Sequence, residues 1–284
     1  MRVDLISPTL FSVSMYVYLC TFPLSLIRLV NSKRYIGIIA TSLLSGGFLI
    51  HTVGLIYRWI ETHKTGYGYV PLSNMYESLI FFSWTIILVY FFLEFRFRQR
   101  ILGTFATAFA FLAIAASSIL PGSDAEIRPL IPALQSNWLA IHVITCFFGY
   151  AAFAVSFGVS VLFLIQYRRE GVDRPVGWLP PTQMLDEINY RSIIIGFPML
   201  TVGIITGAAW ASYAWGNYWS WDPKETWSLI TWLIYAAFLH ARVTRDWRGR
   251  KMAFLSMVGF LAVLFTYFGV SYILAGLHSY ASPS

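Results

Sequence analysis

Indole side chains give this sequence its clearest chemical signal. Six of the eleven tryptophans lie within residues 210–232, which read WASYAWGNYWSWDPKETWSLITW. Trp215, Trp219 and Trp221 fall in a short polar segment between two apolar stretches, and Trp227 lies on the second stretch. A generic membrane helix places one or two tryptophans at the headgroup level. Their concentration here favours a broad aromatic wall that binds a flat, apolar ring with a polar edge.

Imidazole side chains supply the second signal, because imidazole is a common ligand of haem iron. The chain has five histidines: His51, His63, His142, His240 and His278. Ionisable residues inside a membrane are candidates for function. Two histidines can share one iron only if the helices hold them at the same depth, so the elements that carry them must be considered next.

Composition predicts a polytopic membrane protein, since 57% of the 284 residues are hydrophobic and 12% are charged. The net charge of +7 is explained by membrane topology, and no nucleic-acid partner is expected. Cys20 and Cys146 both lie in apolar stretches, without a CxxC motif. The chain therefore has no dithiol redox motif and no haem-attachment motif of its own. The first apolar stretch has no cleavage site after a basic start, so we expect a retained helix.

Hydropathy predicts an all-α fold with eight transmembrane helices. They are expected at residues 5–27, 35–57, 75–93, 101–120, 137–166, 192–213, 226–241 and 252–275. Fifteen of the twenty Lys and Arg residues then fall in loops on one side, which the positive-inside rule assigns to the cytoplasm. Both termini and the tryptophan segment are expected on the outer side. We predict a single integral domain over residues 1–284.

Local patterns predict how several helices begin and pack. Asn74 with Glu77, and Asp222 with Glu225, form capping-box patterns, and Pro223 suits the first helical position. Residues 167–191 are expected to form an inner loop whose second half, residues 182–191, is a short amphipathic helix on the membrane surface. The Gly203-x-x-x-Gly207 motif permits close contact between helices.

Topology gives each histidine a depth. His142, near the start of the fifth span, and His278, after the eighth, share the outer level with the tryptophans. Two imidazoles beside an aromatic wall predict a bis-histidine haem site. His240 lies near the cytoplasmic face, so an iron bound there needs a ligand from another chain. His51 lies in the outer part of the bilayer, too far from His240 to share its iron, and we expect a structural or supporting role.

The run from Trp215 to Trp227, WGNYWSWDPKETW, resembles the WWD signature of cytochrome c assembly proteins. The resemblance extends from Pro71 to Tyr280. Within this family the chain looks like the CcsA/ResC type of the two-component system II. It implies that haem b enters from the cytoplasmic side at His240, opposite a ligand from a CcsB/ResB-like membrane subunit. It also implies an outer site between His142 and His278, in a holocytochrome c synthase (haem lyase) complex.

The implied mechanism presents haem vinyl groups to a reduced CxxCH pair of apocytochrome c. Another, thiol-reducing protein must reduce those cysteines. Lys224, Arg58 and Arg128 are candidates to neutralise the propionates, aided by the helix start at Asp222. The complete set of candidate haem-binding residues is His142, His240, His278, Trp215, Trp219, Trp221, Asp222, Lys224 and Trp227.

Three alternatives stay open on the sequence alone. One is a CcmC-like haem delivery protein, although that type has a shorter chain with fewer spans. Another is a b-type haem electron carrier, which would need two haems stacked across the bilayer within one chain. The third is a transporter for a small hydrophobic solute, which has no need of the tryptophan segment. The expected location is a bacterial inner membrane or a thylakoid membrane.

Overall fold

A computed structural model of the chain describes residues 5–28, 34–121, 123–170 and 179–274. Within these ranges the regular structure is helical and no strand occurs. The main helices are α1 (Ser7–Arg28), α2 (Arg34–Lys64), α3 (Met75–Phe97), α4 (Gly103–Ile119), α5 (Asn137–Glu170), α6 (Thr182–Trp215), α7 (Pro223–Thr244) and α8 (Arg250–Leu264). A π-helical turn (Phe265–Gly269) continues α8 into the short α9 (Val270–Ile273).

Eight long helical segments therefore occur where the sequence predicts eight spans. Seven of them are long and apolar enough to cross a membrane. The exception is α7, which has tryptophan, threonine, histidine and arginine residues among its apolar ones. Large apolar side chains are exposed on the helices, such as Ile119 at 78% and Val243 at 72%, as expected for surfaces that face lipid. The chain is a multi-pass membrane protein. The orientation of its termini stays a prediction.

The chain divides into two compact units, Met1–Val143 and Ile144–Ser284. In the first unit, α1 packs along α2, and α4 packs against both α1 and α3. In the second unit, α7 packs against α6 and α8. Each unit is described by itself below.

Close helix contact at Gly203 is confirmed in the second unit. A Cβ atom at Gly203 would lie only 2.5 Å from Cys146 Sγ, and one at Gly196 would lie 2.6 Å from a ring carbon of Phe153. Glycine is therefore needed at both positions for α6 to pack against α5 at this distance.

The prediction of a separate surface helix at residues 182–191 is wrong. These residues are the first turns of α6, which runs unbroken over 34 residues to Trp215. Leu185 and Ile188 are fully buried, and the Asp186 carboxylate accepts a hydrogen bond of 2.6 Å from Arg242 of α7. The pattern that suggested a helix on the membrane surface is thus a helix packed against α7. Residues 171–178 of the predicted inner loop lie outside the described residues.

Candidate functional site

The tryptophan segment is a tight connection between α6 and α7. Helix α6 ends at Trp215 because Gly216 adopts a left-handed conformation, with φ of 80°, which glycine tolerates without strain. Helix α7 begins at Pro223, with Asp222 as its N-cap. Between them, Trp221 also has a positive φ of 60°. Such a conformation is uncommon for a large side chain and is a frequent feature of functional sites.

The predicted capping box at the start of α7 is confirmed. The Asp222 carboxylate accepts from the backbone N–H of Lys224 at 2.9 Å. In return, the Glu225 carboxylate accepts from the N–H of Asp222 at 3.2 Å and from the N–H of Ser220 at 2.8 Å. Asp222 and Glu225 therefore fix the connection to the helix, and Asp222 shapes the site through the backbone.

The indole rings form edge-to-face pairs, and the single flat wall expected from the sequence is not seen. Trp219 and Trp221 have ring centroids 5.7 Å apart and planes at 89°. Trp215 instead packs on Trp210, at 4.8 Å and 65°. Edge-to-face packing is the preferred geometry of aromatic rings, so rings in a short connection pair with each other. Trp221 is 69% exposed and offers the largest open aromatic surface of the segment.

Trp227 has a different position from the other candidates. Its ring packs on Phe265 of the π-helical turn, with centroids 4.2 Å apart. Its carbonyl accepts from the hydroxyls of Thr231 and Thr266. Trp227 thus anchors the first turn of α7 to the helix beside it.

Trp219 carries a polar atom that the described part of the chain leaves unsatisfied. Its indole Nε1 is buried and has no hydrogen-bond partner there. Leaving a buried donor unpaired costs about 1–3 kcal/mol. Trp232, by contrast, donates its indole N–H to Thr201 Oγ1 at 2.9 Å. The Trp219 N–H therefore suits an acceptor supplied by a ligand.

Lys224 is a half-buried cation beside the same connection. Its Nζ donates to Ser271 Oγ at 3.3 Å and lies 5.9 Å from the centre of the Tyr267 ring. Desolvation lowers the pKa of Lys224 to about 8, although the nearby Asp222 carboxylate opposes this shift. A partly desolvated cation gains stability from an anionic ligand.

The candidate histidines have distinct environments. His142 lies in the second turn of α5, within the first unit, and is half-buried. His240 is exposed one turn before the end of α7, in the second unit. His278 lies outside the described residues. The sharing of an iron by His142 and His278 therefore stays a prediction.

His51 is fully buried in the first unit, and its Nδ1 lies 3.1 Å from the hydroxyl of Tyr18. The ring also packs edge-on against Phe11. The other ring nitrogen, Nε2, is buried without a hydrogen-bond partner among the described residues, so the structural or supporting role expected for His51 stays a prediction.

The two candidate arginines have other partners. Arg58 is 1% exposed and makes two hydrogen bonds to one oxygen of Glu77. Its third bond is to the carbonyl of Ala125, so a propionate-binding role for Arg58 is excluded by its packing. Arg128 is exposed and binds Asp124 and Glu126.

Sequence reasoning missed Ser271 and Phe265 as neighbours of the segment. They reach it because α8 continues through the π-helical turn that places Phe265 against Trp227 and brings Ser271 to Lys224. Nothing in an apolar stretch signals such a turn, since it preserves the hydrophobic pattern.

Structural comparison supports the helical fold. The chain is similar to the solved structure of the cytochrome c haem lyase CcmF, with a TM-score of 0.66 at 20% sequence identity. The match covers 94% of this chain but spans about half (48%) of that protein.

Sequence comparison shows the family. A profile of the cytochrome c assembly protein family matches residues 72–278. The cytochrome c biogenesis protein CcsA of Pyropia yezoensis is 40% identical, over 81% of this chain and 82% of its own. CcsA of Microcystis aeruginosa is also 40% identical, over 78% and 81%. The match includes the Trp215–Trp227 run and the helices on both sides of it, and this chain belongs to the cytochrome c assembly protein family, as a protein of the CcsA type.

Proposed function

We propose that this chain is the haem-handling subunit of a cytochrome c synthetase. It receives haem b near His240 on the cytoplasmic side, opposite a ligand from a CcsB/ResB-like subunit. It then holds haem b at the outer side between His142 and His278, beside the tryptophan segment. Its relatives are named for cytochrome c biogenesis and for haem lyase, which supports this role.

The observation that carries the proposal is a buried N–H without an acceptor and a desolvated cation near the start of α7. The buried Trp219 N–H has no acceptor among the described residues, and Lys224 is a desolvated cation. Both suit a carboxylate, and haem b carries two propionates. The exposed Trp221 ring, at 69%, suits the apolar face or edge of the porphyrin. A transporter for a small hydrophobic solute would have no need of either polar group.

The residues have separate tasks in this proposal. His142 and His278 hold the iron, Trp221 covers the macrocycle, and Lys224 and Trp219 bind propionate oxygen. Asp222 sets the course of the backbone by capping α7. Bound haem would supply the two vinyl groups, and each thiol of a reduced CxxCH segment would add across one of them, so that one S–H bond and one C=C π bond are replaced by a C–S and a C–H bond. This chain contributes no thiol, and the reductant is a separate protein.

An absorption spectrum of the chain purified with its CcsB/ResB-like partner tests the outer site. We expect a six-coordinate ferrous haem b spectrum for the wild type after reduction with dithionite. The His142→Gly/His278→Gly double variant should lose this signal and regain it with added imidazole, which replaces the missing ligands. An unchanged spectrum in the double variant would remove the outer site from the proposal.

His63→Gly is the matched control. His63 is exposed, and its ring bonds to the Trp59 carbonyl at 2.9 Å. We expect this variant to keep the wild-type spectrum with and without imidazole. If its signal also faded, the loss in the double variant would reflect altered folding rather than a lost iron ligand.

A further inference from the structure

A cleft opens between two loops of the first unit, on the side predicted to be the outer one. One wall is formed by residues 66–73, between α2 and α3, and the other by residues 129–140, which lead into α5. The cleft has a volume of about 460 Å³, which is within the usual range for ligand sites. Among the described residues, none of the candidate haem-binding residues lines it, so the proposed haem site gives it no role.

Hydrogen bonds within each loop hold the two walls in shape. In the first wall, the N–H of Gly68 donates to the Thr62 carbonyl at 2.8 Å, and the Thr62 hydroxyl donates to the Tyr69 carbonyl at 2.8 Å. In the second wall, the Gln135 side chain donates from Nε2 to the Leu130 carbonyl at 2.7 Å. Each loop is thus folded on itself, and the cleft exists without a ligand.

The buried Arg58–Glu77 ion pair joins the two loops. Glu77 accepts from the N–H and the hydroxyl of Ser73, at 3.1 and 2.9 Å, and Ser73 lines the cleft. Arg58 donates to the carbonyl of Ala125 at 2.6 Å, in the loop that continues into the second wall. The ion pair therefore fixes one loop relative to the other, and a preformed site loses less conformational entropy when it binds a ligand.

The lining of the cleft is uncharged and about half polar. Seven of its fifteen residues are Leu, Val, Ala or Pro, and the other eight are Tyr, Gly, Ser, Asn or Gln. No charged residue of the described ranges lines it, although the whole chain has a net charge of +7. Tyr, Ser, Gly and Asn dominate the binding loops of antibodies, because tyrosine gives contact area at a low entropy cost and the others adapt their hydrogen bonds. This lining suits a polypeptide better than an anion or a metal ion.

The cleft lies one helical turn from a candidate iron ligand. Leu139 of α5 is buried and lines the cleft. His142 follows three residues later on the same helix, and residues at this spacing lie on one side of a helix. The axial rise between the two residues is about 4.5 Å. A polypeptide in the cleft therefore lies beside the residue that is proposed to hold the haem iron.

We propose that this cleft binds the segment of apocytochrome c that carries CxxCH. The proposal rests on the proposed function, in which a polypeptide must stay beside the His142 site while its two thiols react. An uncharged lining of hydroxyl, amide and glycine groups binds the backbone of the segment and tolerates different side chains around the motif. The cleft thus supplies affinity for the polypeptide, and CxxCH supplies the reacting thiols.

Photocross-linking tests whether the cleft is occupied. The photoreactive residue p-benzoylphenylalanine replaces Val70, which lines the cleft and is 47% exposed, in the full-length chain purified with its CcsB/ResB-like partner. The probe is a labelled synthetic peptide of apocytochrome c with a reduced CxxCH. We expect a cross-link to the peptide that is lost when unlabelled peptide is added in excess. A cross-link to the partner subunit in its place, or none to the peptide, would overturn the proposal.

Ile131 is the matched control position. It is also an aliphatic side chain of these loops, is 61% exposed and does not line the cleft. The same photoreactive residue at this position should leave the peptide largely unlinked. Equal cross-links from the two positions would mean that the peptide lies on the loops outside the cleft, and they would overturn the proposal as well.

Val70→Glu measures what the cleft contributes to the reaction. The variant places a carboxylate beneath the bound peptide, which is unfavourable, so the KM of the peptide in haem attachment should rise by about tenfold or more. The kcat and the haem spectrum should stay as in the wild type, and Ile131→Glu should keep the wild-type KM. An unchanged KM in Val70→Glu would contradict the proposal.

The same cross-link separates this proposal from the haem proposal, because it requires no bound haem. It is repeated in the His142→Gly/His278→Gly background. An unchanged haem spectrum in that background would remove the outer haem site, while the cross-link from position 70 would still report whether the peptide occupies the cleft. A haem signal that fades and returns with imidazole, without a cross-link from position 70, would overturn the cleft alone.

Discussion

Two helices of this protein begin with the same sequence pattern and use it differently. Helix α3 starts after Asn74 and has Glu77 three residues on, whereas α7 starts after Asp222 and has Glu225 three residues on. In both cases the N-cap side chain accepts from a backbone N–H of the first turn. The two starts differ in what lies around them.

The start of α3 is closed by partners from its own unit. Glu77 is 2% exposed and accepts four hydrogen bonds, two from Arg58 and two from Ser73. Arg58 in turn reaches the carbonyl of Ala125 and lies 5.5 Å from the centre of the Tyr76 ring. Each side-chain nitrogen of Arg58 and each carboxylate oxygen of Glu77 has a partner, so this start stabilises the fold.

The start of α7 is open. Trp219 has a buried N–H without an acceptor among the described residues, and Trp221 is largely exposed at a positive φ. Lys224 is a cation whose pKa is lowered by desolvation. A capping motif therefore says only where a helix begins. Whether the start of a helix only stabilises the fold or also binds a ligand depends on whether its buried polar groups already have partners in the protein.

The largest loss of stability is expected from removing the buried ion pair at the start of α3. Arg58→Ala leaves the buried Glu77 carboxylate without its cation, and breaking a buried pair in this way costs about 3–5 kcal/mol. We expect a large drop in the thermal unfolding temperature of the purified protein and less protein in the membrane. Arg128→Ala, which removes two exposed ion pairs, should lower the unfolding temperature far less. Equal losses of thermal stability for the two variants would show that the buried Arg58–Glu77 pair stabilises the fold no more than an exposed pair does.

Removing the unpaired Trp219 N–H at the start of α7 should leave the thermal stability of the protein unchanged and weaken haem binding. Trp219→Phe keeps an aromatic ring but removes the five-membered ring of the indole together with its N–H, and Trp232→Phe makes the same change in size. A hydrogen bond to a charged acceptor contributes about 1.5–3 kcal/mol, so haem should dissociate roughly ten- to a hundredfold faster. Haem transfer to apomyoglobin, followed by absorbance, measures this rate.

Trp232→Phe is the matched control for Trp219→Phe, because its N–H already has an internal acceptor in Thr201. It should lower thermal stability and leave the rate of haem release unchanged. The opposite pattern, with stability lost in Trp219→Phe and haem release unaltered, would assign the Trp219 N–H to the fold.

The pH dependence of haem binding tests whether the cation that binds a propionate can lose its proton in the range studied. The pKa of Lys224 is about 8 without ligand, and a bound propionate raises it. Below pH 8 the amine is already charged, whereas above pH 8 binding must take up a proton. Haem affinity should therefore fall as pH rises above 8, by at most about tenfold per pH unit.

Lys224→Arg should remove this dependence, since arginine stays charged over the whole range. The measurement is a haem titration at several pH values between 7 and 10 for both proteins. The same slope in the arginine variant would mean that another group, and not Lys224, takes up the proton.

The sequence predicted local features well, because short patterns encode them. The capping at Asp222 and Glu225, the close contact at Gly203 and the positions of the long helices are all confirmed. At α3 the pattern was only half right, since Glu77 accepts from Ser73 and Arg58 instead of the Asn74 N–H. Which distant side chain satisfies a polar group depends on packing that no short pattern records.

The candidate site shows the same limit. Composition identified the tryptophan segment, but the sequence predicted one aromatic wall where the rings form two edge-to-face pairs. It also predicted a surface helix at residues 182–191, whereas Asp186 and Asn189 of this stretch are buried and bond to partners on other helices. Polar residues in a membrane protein pair with one another across helices, and hydropathy along the chain cannot show those pairs.

The smallest change in stability is expected for Asp222→Asn. This variant tests whether the carboxylate acts only as a helix cap. Asparagine caps a helix as well as aspartate does, so Asp222→Asn should change stability by only a few tenths of a kcal/mol, whereas Asp222→Ala should cost about 1 kcal/mol. If Asp222 acts only through the backbone, haem binding by Asp222→Asn should stay at least as strong as in the wild type, because the variant also removes a negative charge near the propionates. Thermal unfolding and haem titration of the two variants measure both quantities. Weaker haem binding in Asp222→Asn at unchanged stability would show that the charge itself takes part in the site, and the open start of α7 would then need its carboxylate as well as its cation.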